Sequence, residues 1–279
     1  MIGNLFLAND AERAFYLTRL YPLQNRILAI AGSYGQELVL TGGTALARCY
    51  FDHRFSDDID LFHAGGHLRA MARDFAEALR HGEFDVAVRI DQAGFSRFMV
   101  GDGTTEVQVD LGADLPRVDA PVLSEFGVYA HTLREIGANK IVAFEDRLEA
   151  KDALDLYYLT QRLGWKEMVA DADAKRVPLD YESLQRLVTQ PLVGKALLSR
   201  PIDQPAFEAF LRDLRDQLAL TIEKKTVEST HRLPTLIAEL LWDAPRADRI
   251  IDAHTRPVLL RRAALLPVPE RNAILAALS

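Results

Sequence analysis

The stretch TGGTALARCYFDHRFSDDIDLF, residues 41–62, decides how the rest of the chain is read. Gly42 and Gly43 close an apolar run that begins near Glu37, a helix-like stretch follows over 44–51, and Asp58-Ile59-Asp60-Leu61 then alternates charged with apolar residues. In a strand that alternation sends Ile59 and Leu61 to one face and both carboxylates to the other, their Cα atoms about 6–7 Å apart. Unpaired carboxylates held so close repel each other, and a divalent cation relieves the repulsion. Glycines let backbone N–H groups approach an anion closely, and the start of a following helix adds its dipole. The segment therefore reads as a metal site beside a glycine turn, suited to phosphate chemistry. Each half taken alone has a plainer explanation: Gly-Gly makes an ordinary tight turn, and Asp-x-Asp preceded by Ser56 and Asp57 makes a solvated strand.

Outward from this segment, strand and helix signals alternate. Asp10 is expected to cap a helix reaching about Leu20, with a second helix from Pro22 to about Ser33. Strands are predicted over Glu37–Leu40 and 58–62, and a helix over 67–81 with Leu68, Met71, Phe75 and Leu79 at helical spacing. Strands follow near 84–90, 95–100 and 106–111. In the last of these Val107, Val109 and Leu111 oppose Glu106, Gln108 and Asp110, so Asp110 lies on a polar strand face as Asp58 and Asp60 do. After Pro121 the chain turns helical. Thr132 to Glu135 has the capping-box form, opening a helix through about Glu145, and another spans about 148–163 before Gly164. Five or six further helices are expected from 165 to 279. The fold class is α+β: an α/β core over 1–125 with N-terminal helices, then a helical domain over 126–279.

Composition narrows the class. The 279 residues are 49% apolar and 26% charged, an ordinary globular mixture. The net charge of −7 excludes a generic nucleic-acid binder and leaves room only for a local basic patch. The single cysteine, Cys49, excludes an intrachain disulfide and any cysteine-rich zinc site, and its apolar neighbours suggest a buried side chain. The N-terminal MIGNLFLANDAER has no basic region to make a signal peptide, and no stretch reaches the roughly 18 apolar residues of a membrane span. A soluble cytoplasmic protein with no membrane partner is expected.

A third group of residues lies downstream: Lys140, Arg147, Lys151, Asp152 and Asp155. The three cations fall at intervals of seven and four and would align on a continuous helix, although a turn near Asp146 interrupts it. Alone, the group reads as two amphipathic helices laced with ion pairs. In order along the chain, however, stand Gly-Gly-Thr-Ala-Leu-Ala at 42–47, Arg-Phe-Ser-Asp-Asp-Ile-Asp-Leu at 54–61, and Lys140, Arg147 and Lys151-Asp152 through Asp155-Leu156-Tyr157. With these three motifs the chain resembles the AbiEii/AbiGii-type toxin nucleotidyltransferases of the DNA polymerase β-like superfamily over about residues 35–165. Many members of the wider superfamily have serine where this chain has Gly43.

The resemblance implies a nucleotidyltransferase core with a helical C-terminal region, acting as the toxin of a toxin–antitoxin or abortive-infection system. It implies transfer of a nucleoside monophosphate from an NTP to the 3′-hydroxyl of RNA, typically the tRNA acceptor end, with loss of pyrophosphate and a cognate antitoxin as partner. In that frame Gly42, Gly43 and Thr44 would bind the nucleotide, and Asp58 and Asp60 would hold Mg²⁺ or Mn²⁺ with Asp110 as a third ligand. Lys140 would neutralise phosphate charge and Asp155 would complete the site from the second helix. Arg54 would touch phosphate, or else pair with Asp57. An excess of arginine over 244–262 (Arg246, Arg249, Arg256, Arg261, Arg262) suits either RNA phosphates or a solvated helix face. Trp165 and Trp242 are expected in the core. A small-molecule or protein acceptor, or a catalytically silent nucleotide- or RNA-binding module, would use the same motifs.

Overall fold

The computed structural model describes residues 4–143, 149–175 and 192–219, together with Asn272. The chain divides into two compact units, Met1–Leu214 and Arg215–Ser279, and every described residue considered for the site lies in the first. Arg147, Trp242 and the arginines of 244–262 lie outside the described residues.

The chain opens with a short strand β1 (Leu5–Leu7) and then α1 (Asp10–Phe15) and α2 (Tyr21–Gly32). Asn9, not Asp10, is the cap: its side chain accepts from Glu12 N while the Glu12 carboxylate accepts from Asn9 N, a reciprocal box. The two helices are joined without a break by a widened turn over Tyr16–Leu20. Pro22, which lacks an N–H and crowds the preceding turn, sits just after that widening rather than at a fresh start.

Next come β2 (Leu38–Thr41), α3 (Gly42–Ala45), whose helical path continues to Phe51, β3 (Asp58–His63) and α4 (Leu68–His81). A meander follows: β4 (Asp85–Asp91), β5 (Phe95–Gly101) and β6 (Glu106–Ala113). Two short strands, β7 (Val122–Leu123) and β8 (Tyr129–Ala130), precede α5 (Leu133–Ala143), α6 (Ala150–Thr160) and α7 (Trp165–Ala174), and β9 (Ala196–Leu198) comes last. A helical segment occupies 204–219.

Seven strands form one mixed sheet in the order β4-β5-β6-β3-β2-β8-β7. β3 lies antiparallel to β2 and parallel to β6, with Asp60 opposite Asp110. Strict alternation splits the sheet into two faces. Ile59, Leu61, Phe98, Val107, Val109 and Leu111 are buried on one side, where α4 contributes Leu68, Ala72, Phe75, Ala76 and Leu79 from a single stripe. Burial of side chains such as Phe75 and Leu79 contributes about 1.5–3 kcal/mol each. Asp58, Asp60 and Asp110 belong to the other face.

Several elements were not expected from sequence. β1 and β9 pair in parallel as a separate two-stranded sheet, with Phe6 opposite Leu197. Strand β9 replaces part of the helical run predicted after 165. It braces residues 52–55: Phe55 N donates to Leu197 O (2.8 Å), and the Ser199 hydroxyl donates to Asp52 O (2.6 Å). At the start of α5 only half of the capping box forms. Thr132 accepts from Glu135 N, but the Glu135 carboxylate instead accepts from Val118 N and pairs with buried Lys175, tying α5 to the end of α7. Trp165 is half-buried at the start of α7. Cys49 is half-buried too, and burial pushes its thiol up to about 11, which favours the neutral form. No helix among the described residues is long and apolar enough to cross a membrane.

Candidate active site

Strand β2 ends at Thr41, and the chain turns straight into α3. The turn requires glycine twice over at its first position. Gly42 has φ +66°, and a Cβ there would lie 2.2 Å from Asp60 Oδ2. A Cβ on Gly43 would lie 2.0 Å from Arg54 Nη2. The glycine pair thus has a role that the sequence pattern did not show: it admits one carboxylate and one guanidinium against the backbone of the turn.

Three carboxylates belong to the polar sheet face beside this turn. Asp58 and Asp60 alternate with buried Ile59 and Leu61, and the parallel register sets Asp110 beside Asp60. Asp110 is gripped bidentately by Arg97 from β5 (2.8 and 2.7 Å), and Gln108 Nε2 donates to it at 3.1 Å. Asp58 accepts a long bond from the Ser56 hydroxyl (3.3 Å). Among the described residues no hydrogen-bond donor engages the Asp60 side chain. Burial, then the charges of Asp58 and Asp110, push its carboxyl up from 3.8 to about 7, against the opposing pull of Lys140 and Lys151. A half-buried carboxylate flanked by two others, with oxygens unpaired, is a donor set that fits a hard divalent cation.

The basic side is built differently. Asp155, on α6, is completely buried and lies at the centre of three side chains. Arg54 forks onto it (Nε–Oδ1 2.8 Å, Nη2–Oδ2 3.0 Å), Lys140 Nζ lies 2.7 Å from Oδ2, and His53 Nε2 lies 2.7 Å from Oδ1. Burial alone would raise the Asp155 carboxyl, but the Arg54 guanidinium and the Lys140 ammonium outweigh it and hold it well below the usual carboxylate range. Burial opposes charge on Lys140 as well; Asp155 and Asp152 more than compensate and keep it protonated. His53 goes the other way: burial depresses its pKa more than Asp155 raises it. It is a neutral ring donating from Nε2, with a buried Nδ1 that has no partner among the described residues.

These residues enclose a cavity of about 470 Å³ lined by Gly42, Gly43, Arg54, Asp58, Asp60, Arg97, Asp110, Lys140, Lys151 and Asp152, among others. Of the residues picked out from sequence, Gly42, Gly43, Arg54, Asp58, Asp60, Asp110 and Lys140 are thus brought to one cavity. Asp155 and Thr44 are not on its wall. Asp155 acts from behind as the shared counter-ion of Arg54 and Lys140, while Asp152, one turn earlier, lines the cavity and holds Lys140 Nζ at 2.8 Å. Thr44 is fully buried; its hydroxyl donates to Asp58 O (2.5 Å) and lies 2.9 Å from Ser56 Oγ, which fixes the strand start rather than contacting a ligand. Arg54 pairs with Asp155 and not with Asp57, whose carboxylate accepts from the Tyr16 hydroxyl.

Four contributors were missed from sequence, the first of them Arg97, which grips Asp110 from β5. His53 had no signal beyond being a lone histidine. Gln24, buried on α2, donates to Ser56 O (3.1 Å) and Asp58 O (3.3 Å) and so holds the turn before the carboxylates. Behind Thr41 stands His131, with Nδ1 2.9 Å from the Thr41 hydroxyl and Nε2 3.3 Å from Asp114 Oδ2. Asp114, His131 and Glu135 bring their ligating atoms within 4.8 Å of one another. Arg117 and Lys175 already neutralise the two carboxylates, so this group reads as a buttress for the β2 end.

The sequence model of the nucleotidyl transferase AbiEii toxin family, of type IV toxin–antitoxin systems, matches residues 26–246. The chain belongs to this family. It is accordingly a nucleotidyltransferase of a toxin–antitoxin system, with an NTP as substrate and a cognate antitoxin as partner. Among solved structures it is similar to MenT4, a nucleotidyltransferase toxin from Mycobacterium tuberculosis, at a TM-score of 0.53 and 19% identity, covering 95% of this chain and 93% of that one. It is also similar to JHP933 from Helicobacter pylori, at a TM-score of 0.50 and 22% identity over 82% of this chain and 99% of that one. At such identities the likeness is one of fold. No curated protein matches the chain significantly.

Proposed function

We propose that the enzyme transfers a nucleoside monophosphate from an NTP to the 3′-hydroxyl of RNA, at the acceptor end of tRNA, with release of pyrophosphate, in the cytoplasm. Asp58 and Asp60 would hold Mg²⁺ or Mn²⁺, with Asp110 as a further oxygen donor. Bound there, a divalent ion lowers the pKa of an attacking hydroxyl and offsets charge on the triphosphate.

The observation that carries this reading is the charge balance of the cavity. Arg97 is committed to Asp110, Lys140 to Asp152 and Asp155, Arg54 to Asp155, and Lys151 to Glu149. Asp58 and Asp60 have no cation bonded to them among the described residues, so a bare triphosphate entering the cavity meets net repulsion. A metal-bound triphosphate does not. Lys140, kept charged at the cavity wall by its two aspartates, would neutralise a phosphate oxygen. Arg54 presents its guanidinium beside Gly43, where phosphate can share it without breaking the fork to Asp155. The backbone N–H groups of the Gly42-Gly43 turn are suited to the remaining oxygens.

The acceptor comes from the family resemblance. The test is incubation of the purified protein with each α-labelled NTP, Mg²⁺ and, in separate reactions, total tRNA, mixed protein and small-molecule acceptors such as aminoglycosides. Label is expected in tRNA. Label only in protein or in small molecules would replace the RNA acceptor, and no label in any of them would remove the transfer reading.

A further inference from the structure

Most residues that line the cavity are polar or charged, and two apolar side chains and one unpaired amide among them remain unexplained by phosphate and metal binding. The apolar side chains are Phe62 and Ile136. Phe62 follows Asp58 and Asp60 on the same strand face, and its ring lies over Gly112, where a Cβ would come within 3.0 Å of Cε1. The Phe62 and His131 rings also meet in a T-shaped contact, their centroids 5.8 Å apart. Ile136 and Asn139 are one turn apart on α5, and Asn139 immediately precedes Lys140. Both Nδ2 and Oδ1 of Asn139 are buried from solvent and have no hydrogen-bond partner among the described residues, although the residue lines the cavity.

An unpaired buried amide is costly, since donor and acceptor each forfeit their bonds to water. The chemistry that repays it offers an adjacent acceptor and donor in one plane. A nucleobase edge has that pattern, and asparagine pairs with it bidentately. Phe62 and Ile136 add the apolar walls that the flat faces of a base require, as in other small-molecule sites where few polar groups set specificity among apolar ones. We infer that Asn139 is the residue that selects the NTP by its base, in a slot walled by Phe62 and Ile136. This rests on the reading of the cavity as the nucleotide site. It extends that reading from the triphosphate to the identity of the nucleotide.

The test measures equilibrium binding of ATP, CTP, GTP and UTP, the matching 2′-deoxy nucleotides, and inorganic tripolyphosphate, all with Mg²⁺, to the wild type and to Asn139→Leu. Leucine keeps the volume and removes both hydrogen-bonding atoms. The wild type is expected to prefer one base by about 10- to 100-fold. In Asn139→Leu that preference should fall to within about threefold, while tripolyphosphate, which has no base, binds as before. Phe62→Leu, a second variant in the same cavity, should weaken all four NTPs together and leave tripolyphosphate unaffected. Unchanged base preference in Asn139→Leu, equal binding of all four NTPs by the wild type, or equal losses for NTPs and tripolyphosphate would each overturn the inference. So would a loss confined to the distinction between ribo- and deoxyribonucleotides, which would assign Asn139 to the sugar. Failure of the wild type to bind tripolyphosphate would instead show that the phosphate site itself was misread, and the base slot would fall with it.

Discussion

The two sides of the cavity handle charge in opposite ways. On the strand side, Asp58 and Asp60 stand together with no cation bonded to them among the described residues, and burial, then the charges of Asp58 and Asp110, raise the Asp60 carboxyl to about 7. On the helix side, every charge is answered: Asp155 is buried at the centre of Arg54, Lys140 and His53, and Asp152 completes the pairing of Lys140. One side is left electrostatically incomplete for a ligand to finish, and the other is finished by the protein before any ligand arrives. The first kind of site costs stability in the ligand-free protein. The second secures the cations that the first will need, at the price of burying a carboxylate.

The sharpest way to break the contrast is to remove the centre of the helix side. Asp155→Ala leaves Arg54 and Lys140 near each other without their shared counter-ion, and is expected to destabilise the protein by about 3–5 kcal/mol and to abolish transfer. Urea unfolding of wild type and variant measures it. A loss of less than about 1 kcal/mol would show that the cluster is not acting as a buried ion centre.

The same kind of change on the strand side should have the opposite sign. Asp60 binds its proton more tightly folded than unfolded, so between about pH 4 and pH 7 the folded chain carries the extra proton and stability falls as pH rises through that window. Asp60→Asn removes that penalty. Because the side chain is only half-buried, the gain in metal-free protein at pH 8 is expected to be about 1–2 kcal/mol, a few degrees in Tm, and to vanish toward pH 4. Thermal unfolding at the two pH values decides it; destabilisation at pH 8 would mean that Asp60 is already satisfied by the fold.

The strand side was also the legible one. Alternation over 58–61 and 106–111 placed all three carboxylates on polar strand faces, because a period of two ties side-chain direction to position with little ambiguity. The parallel register that sets Asp60 beside Asp110 came only with the structure. On the helix side the sequence showed Lys140 and Asp155 but not their relation. Asp155 was expected to face the site, yet α6 is buried on nearly every side over Ala153–Leu156, and a carboxylate in that setting depends on Arg54 reaching it from a distant loop. That reach depends in turn on β9, a three-residue strand whose partner β1 comes from the start of the chain. Short strands joined only by long-range pairing leave too little local pattern to detect, and His53 and Gln24 act through tertiary contacts alone.

The central claim is that the carboxylates of the strand side must be completed by a metal before the nucleotide can bind. Calorimetric titration of the preferred NTP into wild type and Asp60→Asn, each with Mg²⁺ and with the metal removed by chelation, tests it most directly. Binding is expected only in the wild type with Mg²⁺, weakened at least about 100-fold by either chelation or the substitution. Equal NTP affinity with and without metal, or in Asp60→Asn, would contradict the account.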